Sequence, residues 1–162
     1  MKIPVILNGE KIILDAKPSE KLSDVLRKLG LLSIKKGCES GICGSCTVLL
    51  DDKPVPSCII PVGIIRNASI ETLEFFSLTK ESEDILDGFK QAGVAMCGFC
   101  NSARIFLTYE LLKKVYRPSL EELEELAKDV NCTCCDKKTF MNGIIYATAN
   151  KHEREGRKNG IV

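Results

Sequence analysis

Cysteine is the residue type whose number and spacing stand out, with nine in 162 residues beside a single histidine and no tryptophan. In a reducing compartment, clustered cysteines are more often metal ligands or catalytic thiols than disulfide partners. The odd count also argues against a complete set of disulfides. Eight of the cysteines fall into two groups of four, and Cys135 adjoins the second group. The pattern predicts thiolate chemistry at two separate sites.

The first group has the spacing C-x4-C-x2-C, followed by a fourth cysteine after eleven further residues. This spacing is typical of plant-type [2Fe–2S] sites. A structural zinc site is the alternative, but zinc sites usually pair short C-x2-C knuckles. Three ligands in a row within one glycine-rich loop favour the iron–sulfur interpretation. The predicted ligands are Cys38, Cys43, Cys46 and Cys58.

Three glycines in the same loop, Gly37, Gly41 and Gly44, are predicted to help bind the cluster. Glycine permits positive φ and a close approach of the backbone to a compact inorganic core. Backbone amides in such a loop can point at the cluster sulfurs and offset their negative charge. We expect Cys58 to lie on a neighbouring strand and to close the site from outside the loop.

The second group consists of two pairs separated by thirty-one residues. A lone C-x2-C pair is a weak signal, since it also occurs in redox dithiols and in zinc sites. The intervening chain predicts two helices with a proline break, which can bring both pairs together near helix N-termini, where anionic thiolates are favoured. The spacing alone leaves a cluster, a zinc site and redox thiols open. The predicted ligands are Cys97, Cys100, Cys132 and Cys134.

Two halves with different patterns must position these cysteines, which makes the expected fold class α+β. In residues 1–76, short apolar runs flank the Asn8-Gly9 hairpin signal, and a helix opens near Pro18 and ends at Gly30. Residues 77–162 carry helical periodicity instead, including a helix that starts at Pro118. The predicted strands are 3–7, 11–16, 47–50, 55–60 and 70–73, and the other predicted helices are 83–92, 102–116 and 139–150.

The bulk composition excludes several kinds of partner. A formal net charge of +1 gives no electrostatic reason to expect nucleic acid or a membrane surface. No stretch approaches the roughly 20 apolar residues that span a bilayer. The first apolar run is broken by Pro4 and is too short for the core of a signal peptide. We therefore expect a soluble, cytoplasmic protein.

Taken together, the plant-type group, Cys97-Gly98-Phe99-Cys100 and Cys132-Thr133-Cys134 resemble the iron–sulfur subunit of the molybdenum hydroxylases. This is the xanthine oxidase family, which includes aldehyde oxidoreductases and the small subunits of carbon-monoxide dehydrogenases. The resemblance extends from the first hairpin to about Asn150. It implies a ferredoxin-like β-grasp domain in residues 1–76 with a solvent-side cluster. It also implies a four-helix domain in residues 77–162 with a second [2Fe–2S] cluster nearer the active site of a complex.

The resemblance also implies a role. Such a subunit catalyses nothing alone, but passes electrons from a molybdopterin site in a larger subunit to a flavin subunit or an external acceptor. The chain would then belong to an oxidoreductase as its electron-transfer subunit. Two alternatives are the same role in a complex without ordinary molybdopterin, and a free two-cluster ferredoxin or redox-sensing module.

The surroundings of the second group depart from the family pattern. Met96 stands where the family has a glutamine that reaches the pterin, and Asn101-Ser102-Ala103 replaces threonine, proline and glycine. Residues 133–137 also differ from the family. A thioether cannot donate a hydrogen bond. We therefore expect a changed partner surface, with Met96 either packed against an apolar partner or filling the core.

Two further residues, Cys135 and His152, are of types that can bind iron. Cys135 is predicted to be a free thiol, with an exchange of roles with Cys134 as the alternative. His152 lies in a charged segment and is predicted to sit on a solvated helix end. Because a Rieske centre needs two histidine ligands, a single histidine excludes that kind of cluster.

Overall fold

The computed structural model describes residues 1–130 and 132–158, with side chains described as far as residue 157. Residues 159–162, the end of the predicted second domain, lie outside the described residues. Within the described part, no helix is long and apolar enough to cross a membrane.

Five short strands form one mixed sheet in the N-terminal half. The strands are β1 (Lys2–Leu7), β2 (Glu10–Asp15), β3 (Thr47–Leu50), β4 (Lys53–Pro56) and β5 (Ser69–Glu71). Their order across the sheet is β2-β1-β5-β3-β4. The central pair β1 and β5 is parallel, and the remaining pairs are antiparallel.

The first hairpin forms as the sequence predicts. Asn8 and Gly9 have φ values of 50° and 83°, which is the left-handed pair of a two-residue turn that matches the twist of the strands. Asp51 and Asp52, with φ values of 48° and 65°, make the equivalent turn between β3 and β4. Helix α1 (Leu22–Lys28) then packs its apolar face on the sheet.

The predicted strand over residues 55–60 is wrong beyond Pro56. The chain there turns into a short 3₁₀ helix, Ser57–Ile59. The buried Ser57 hydroxyl donates to the carbonyl oxygen of Cys46 at 2.7 Å, which draws this segment under the cysteine loop. Cys58 therefore lies on this turn and not on a strand.

The C-terminal half is helical, as predicted. It contains a short helix that the sequence did not predict, α2 (Leu73–Phe76), followed by α3 (Lys80–Ala92) and α4 (Asn101–Lys114). The last two are α5 (Leu120–Asp129) and α6 (Lys137–Lys158). Helix α5 begins with a capping box, in which Ser119 and Glu122 each accept a hydrogen bond from the other's backbone N–H.

Helices α3 and α6 cross at two glycines. A Cβ atom on Gly88 would lie 2.3 Å from the backbone nitrogen of Ala147, and one on Gly143 would lie 2.9 Å from the ring of Phe89. The two backbones approach this closely because neither glycine has a side chain. The crossing fixes the position of α6, which begins directly after the second group of cysteines.

Each half has its own apolar core. One core lies between the sheet and α1, and the other lies among α3, α4, α5 and α6. Leu49 of β3 belongs to the helical core, and Tyr109 of α4 donates a hydrogen bond to Asp52 at 3.0 Å, so the halves are in contact. The α+β class is confirmed, while the boundary between residues 76 and 77 stays a prediction.

Candidate metal centres

The loop that carries the first cysteine group folds around the sulfur of Cys38. Its Sγ atom accepts hydrogen bonds from the backbone amides of Ser40, Ile42 and Cys43 at 3.4, 3.2 and 3.3 Å. The amide of Cys38 in turn donates to Cys43 Sγ at 3.4 Å. Hydrogen bonds from the Ser40 side chain and from these amides lower the pKa of the exposed Cys38 thiol to about 5. The loop is therefore built to hold an anionic sulfur.

Cys46 and Cys58 form the inner pair of the first group. Both are buried, with 3% and 4% of their surface exposed. Burial, together with the neighbouring Cys46 thiol, raises the pKa of Cys58 to about 11. The structure thus places Cys38 beside Cys43 and Cys46 beside Cys58. Two thiolate pairs are what two irons with two protein ligands each require.

The glycines of this loop have the two properties predicted for them. Gly41 and Gly44 have φ values of 81° and 71°, in the region that L side chains rarely adopt. Gly37 lies at a close approach, since a Cβ there would be 2.6 Å from Cys43 Sγ. That these three glycines contact a cluster stays a prediction.

The second cysteine group converges on one point. The sulfur atoms of its four members, Cys97, Cys100, Cys132 and Cys134, lie within 4.8 Å of one another. Cys100 is the N-terminal capping residue of α4, and the other pair directly precedes α6. The predicted placement of both pairs at helix N-termini is therefore observed. Four convergent thiols fit an iron–sulfur cluster or a zinc ion.

The environments of Cys97 and Cys100 differ sharply. Cys97 is exposed, and hydrogen bonds from the backbone of Phe99 and Cys100 lower its pKa to about 6. Cys100 is 1% exposed, and this burial raises its pKa to about 12, although Arg104 opposes the shift. The positive charge of Arg104 therefore favours the thiolate form of this buried sulfur.

Arg104 is a residue of this site that the sequence interpretation missed. It lies four residues after Cys100 on α4, is 2% exposed, and its Nε atom donates to Cys100 Sγ at 3.3 Å. Residues four apart share one face of a helix. A single cation in the apolar part of α4, at that spacing from a predicted ligand, is the signal that could have identified it.

The two centres are in direct contact through two side chains. A Cβ on Gly37 would lie 2.6 Å from the tip of the Phe99 ring, which therefore reaches the first cysteine loop. A Cβ on Gly44 would lie 2.7 Å from Cβ of Ala103 on α4. The short distance between the two cysteine loops therefore depends on Gly37 and Gly44 having no side chain.

The remaining candidate residues lie outside the convergent thiols. The Cys135 thiol donates to the Asp136 carbonyl oxygen at 3.4 Å and is not among the four convergent sulfurs. Met96 is half-buried and packs against the helical core. His152 is not fully solvated, because its ring stacks on Tyr116 with centroids 3.9 Å apart. His152 nevertheless lies near the end of α6, as predicted, and is half-exposed.

Two families match successive parts of the chain. Residues 5–63 match the family described as a 2Fe-2S iron-sulfur cluster binding domain. Residues 72–145 match the family described as a [2Fe-2S] binding domain. The second match decides for an iron–sulfur cluster over zinc or redox thiols at the second group. The chain therefore carries two [2Fe–2S] clusters.

Curated relatives match over nearly the whole chain. The nicotinate dehydrogenase small FeS subunit of Eubacterium barkeri is 34% identical over 87% of this chain and 90% of its own length. The xanthine dehydrogenase iron-sulfur-binding subunit of Escherichia coli is 32% identical over 92% of this chain and 95% of its own length.

Solved structures show the same arrangement. The aldehyde oxidoreductase from Desulfovibrio desulfuricans has a TM-score of 0.83 at 34% identity, covering 94% of this chain and 17% of that chain. A chain of quinoline 2-oxidoreductase from Pseudomonas putida has a TM-score of 0.79 at 31% identity, covering 96% of this chain and 97% of that chain. Both similarities span the sheet and the helices. The chain therefore belongs to the family of small iron–sulfur subunits of the molybdenum hydroxylases and is an electron-transfer subunit of an oxidoreductase.

Proposed function

We propose that the two clusters of this electron-transfer subunit are held by eight cysteines, four in each half of the chain. The support is the donor chemistry: thiols in pairs, backbone amides that donate to sulfur, and helix N-termini beside the second group. Each [2Fe–2S] cluster supplies storage for one electron. The chain's own residues hold the sulfurs, donate hydrogen bonds to them, and bury Cys46 and Cys58 of the first group and Cys100 of the second. The proposed ligands are Cys38, Cys43, Cys46, Cys58, Cys97, Cys100, Cys132 and Cys134.

The partner is inferred to be a larger catalytic subunit that contains molybdopterin. The observation that carries this proposal is the coverage of the relatives: the chain spans 90% of a protein named a small FeS subunit, so it matches a whole subunit of a larger assembly. Electrons would enter from that catalytic subunit and leave to a flavin subunit or an external acceptor. Nine cysteines, none of them in a disulfide, favour the reducing cytoplasm as the compartment.

A second candidate is the same electron-transfer role in a complex without ordinary molybdopterin. It is favoured by Met96, whose thioether cannot donate a hydrogen bond to a pterin. Met96 also packs against the helical core, and this supports core filling as its role. The deciding measurement is the molybdenum and pterin content of the complex that co-purifies with this chain. A large subunit with one molybdenum per complex would remove the second candidate.

The ligand assignment is tested with single serine variants of the purified full-length chain. We expect the wild type to contain about four irons and four acid-labile sulfides per chain. Cys43→Ser should remove the ferredoxin-type electron paramagnetic resonance (EPR) signal alone, and Cys100→Ser should remove the other signal alone. Cys135→Ser is the matched control, and it should keep both signals because its thiol lies outside the convergent four.

Three results would contradict the assignment. Stoichiometric zinc or about two irons per wild-type chain would show that the chain does not hold two clusters. Retention of both signals in Cys43→Ser would take Cys43 off the ligand set. Loss of the second signal in Cys135→Ser, with retention in Cys134→Ser, would exchange the roles of these two neighbours.

A further inference from the structure

A buried guanidinium lies beside the second cysteine group. Arg104 is 2% exposed, and it projects from α4 over the sulfurs that precede this helix and α6. Its Nε atom is 3.3 Å from Cys100 Sγ, and its Nη2 atom is 3.8 Å from Cys134 Sγ. Nη2 also donates to the carbonyl oxygen of Cys132 at 3.3 Å. One side chain thus contacts three of the four proposed ligand residues.

The ring of Phe140 covers the guanidinium. The central carbon of Arg104 lies 4.4 Å from the ring centroid, and Phe140 is itself 1% exposed. Phe140 is held by α6 and by an edge-to-face contact with Phe89 of α3, with centroids 5.6 Å apart. The orientation of Arg104 is therefore set by the packing of three helices.

Arg104 forms no ion pair with an aspartate or glutamate of residues 1–130 and 132–157, whereas Arg154 pairs with both Asp84 and Glu81. An arginine keeps its proton in a protein interior, and a buried charge without a partner is strongly destabilising. The groups present to balance it are the sulfurs of Cys100 and Cys134, provided that they are thiolates.

We propose that Arg104 is a positioning residue that acts through Cys100 and Cys134 to raise the reduction potential of the second cluster. This inference rests on the proposed ligand set for that cluster. Reduction adds one electron and hence one negative charge to the cluster. A fixed positive charge and hydrogen bonds to the ligand sulfurs both stabilise the reduced form. Because the guanidinium stays protonated, this compensation requires no proton uptake.

The effect is expected to be large because Arg104 and Cys100 are both buried. Charges interact more strongly in a protein interior than in water. A low-dielectric environment by itself disfavours the more negative, reduced cluster, and Arg104 opposes that tendency. The second cluster thereby becomes a better acceptor for the electron that a catalytic partner delivers. Among the described residues, no arginine donates a hydrogen bond to a sulfur of the first group. Backbone amides donate to Cys38 Sγ and Cys43 Sγ instead, and the Ser45 hydroxyl lies 3.1 Å from Cys43 Sγ.

The test is a redox titration of the full-length chain with both clusters loaded, using dithionite as reductant and EPR to follow each signal. In Arg104→Gln, the ratio of reduced to oxidised second cluster at a given potential should fall about tenfold, which is about 59 mV for a one-electron couple. Arg104→Lys keeps the charge and should show a smaller shift. The first cluster is an internal control and should not move. Arg154→Gln removes a different partly buried arginine and should leave both potentials unchanged.

Unchanged second-cluster potential in Arg104→Gln, with both signals present, would overturn the proposal. If Arg104→Gln loses the second signal, pulsed EPR of wild-type protein labelled with [¹⁵N]arginine decides. A ¹⁵N coupling on the second cluster's signal supports the contact, and absence of that coupling overturns it. A missing second signal or bound zinc in the wild type would refute the ligand assignment itself, which is a different result.

Discussion

Replacing Gly88 with alanine tests how the helical half holds the second centre. The new Cβ would lie 2.3 Å from the backbone nitrogen of Ala147, 2.6 Å from its Cα atom and 2.8 Å from the carbonyl oxygen of Gly143. All three are backbone atoms of α6, so no side-chain rotation can relieve the overlap. The two helices must move apart by about 1 Å to restore an ordinary separation of roughly 3.5 Å.

The magnitude follows from the packing around this contact. A gap of that size forfeits about a quarter to a half of each dispersion contact across the crossing. The side chains that lose contact include Phe89 and Ile144, both fully buried. Alanine in a helix interior is intrinsically more stable than glycine by about 1 kcal/mol, which offsets part of the loss. We expect a net decrease of about 2–4 kcal/mol in the free energy of unfolding.

The change should also reach the second cluster. Phe140 lies on α6 between Phe89 and Arg104, so displacement of α6 moves the ring that covers the guanidinium. We expect Gly88→Ala to lose second-cluster occupancy, measured by iron content and EPR, while the ferredoxin-type signal stays. The free energy of unfolding is measured by urea denaturation followed by circular dichroism. The matched control is Asp87→Ala on the exposed side of the same helix, with an expected change within about 0.5 kcal/mol. Equal stability of the two variants would refute the reasoning.

Two further substitutions test the loop contact and a helix cap. Gly44→Ala should destabilise the chain by about 2–4 kcal/mol, because it combines a positive φ with a Cβ only 2.7 Å from that of Ala103. Gly30→Ala is its control, because Gly30 has a positive φ but open space around it. If Gly44→Ala loses no more stability than Gly30→Ala, the contact with Ala103 does not contribute to the loss. Ser119→Ala should cost about 1 kcal/mol in urea denaturation by removing the hydrogen bond from the Glu122 amide. Ser119→Asp keeps the cap, and an equal loss there would argue against capping.

Local patterns allowed much of the fold to be predicted. The Asn8-Gly9 turn, the cap at Ser119 and the apolar periodicity of the helices all depend on residues a few positions apart. The strand predicted over residues 55–60 failed because its end is set by Ser57, whose hydroxyl bonds to Cys46, eleven residues earlier in the chain. Helix α2 was missed because four residues are too few to show a period.

The cysteine sets were predictable for a related reason. Loop spacing limits which thiols can converge on a compact cluster, so C-x4-C-x2-C already carries the chemistry of the first site. The two later pairs were ambiguous alone, because C-x2-C serves several chemistries. Their convergence depends on α4 and α5 folding back between them, and the structure brings the four sulfurs within 4.8 Å.

Two cysteine groups, glycine at the turns of the first loop and a helical second half can all be read from the order of the residues. The surroundings of those cysteines follow only from the packing of the folded chain. Arg104 became part of the second site because α4 and α6 meet there, with Phe140 covering the guanidinium. Gly88 gained its importance from α6, more than fifty residues away, and Gly37 meets the equally distant Phe99 as well as its own loop. Spacing along the chain encodes local geometry, whereas burial and charge neutralisation depend on contacts that form only when distant segments pack together.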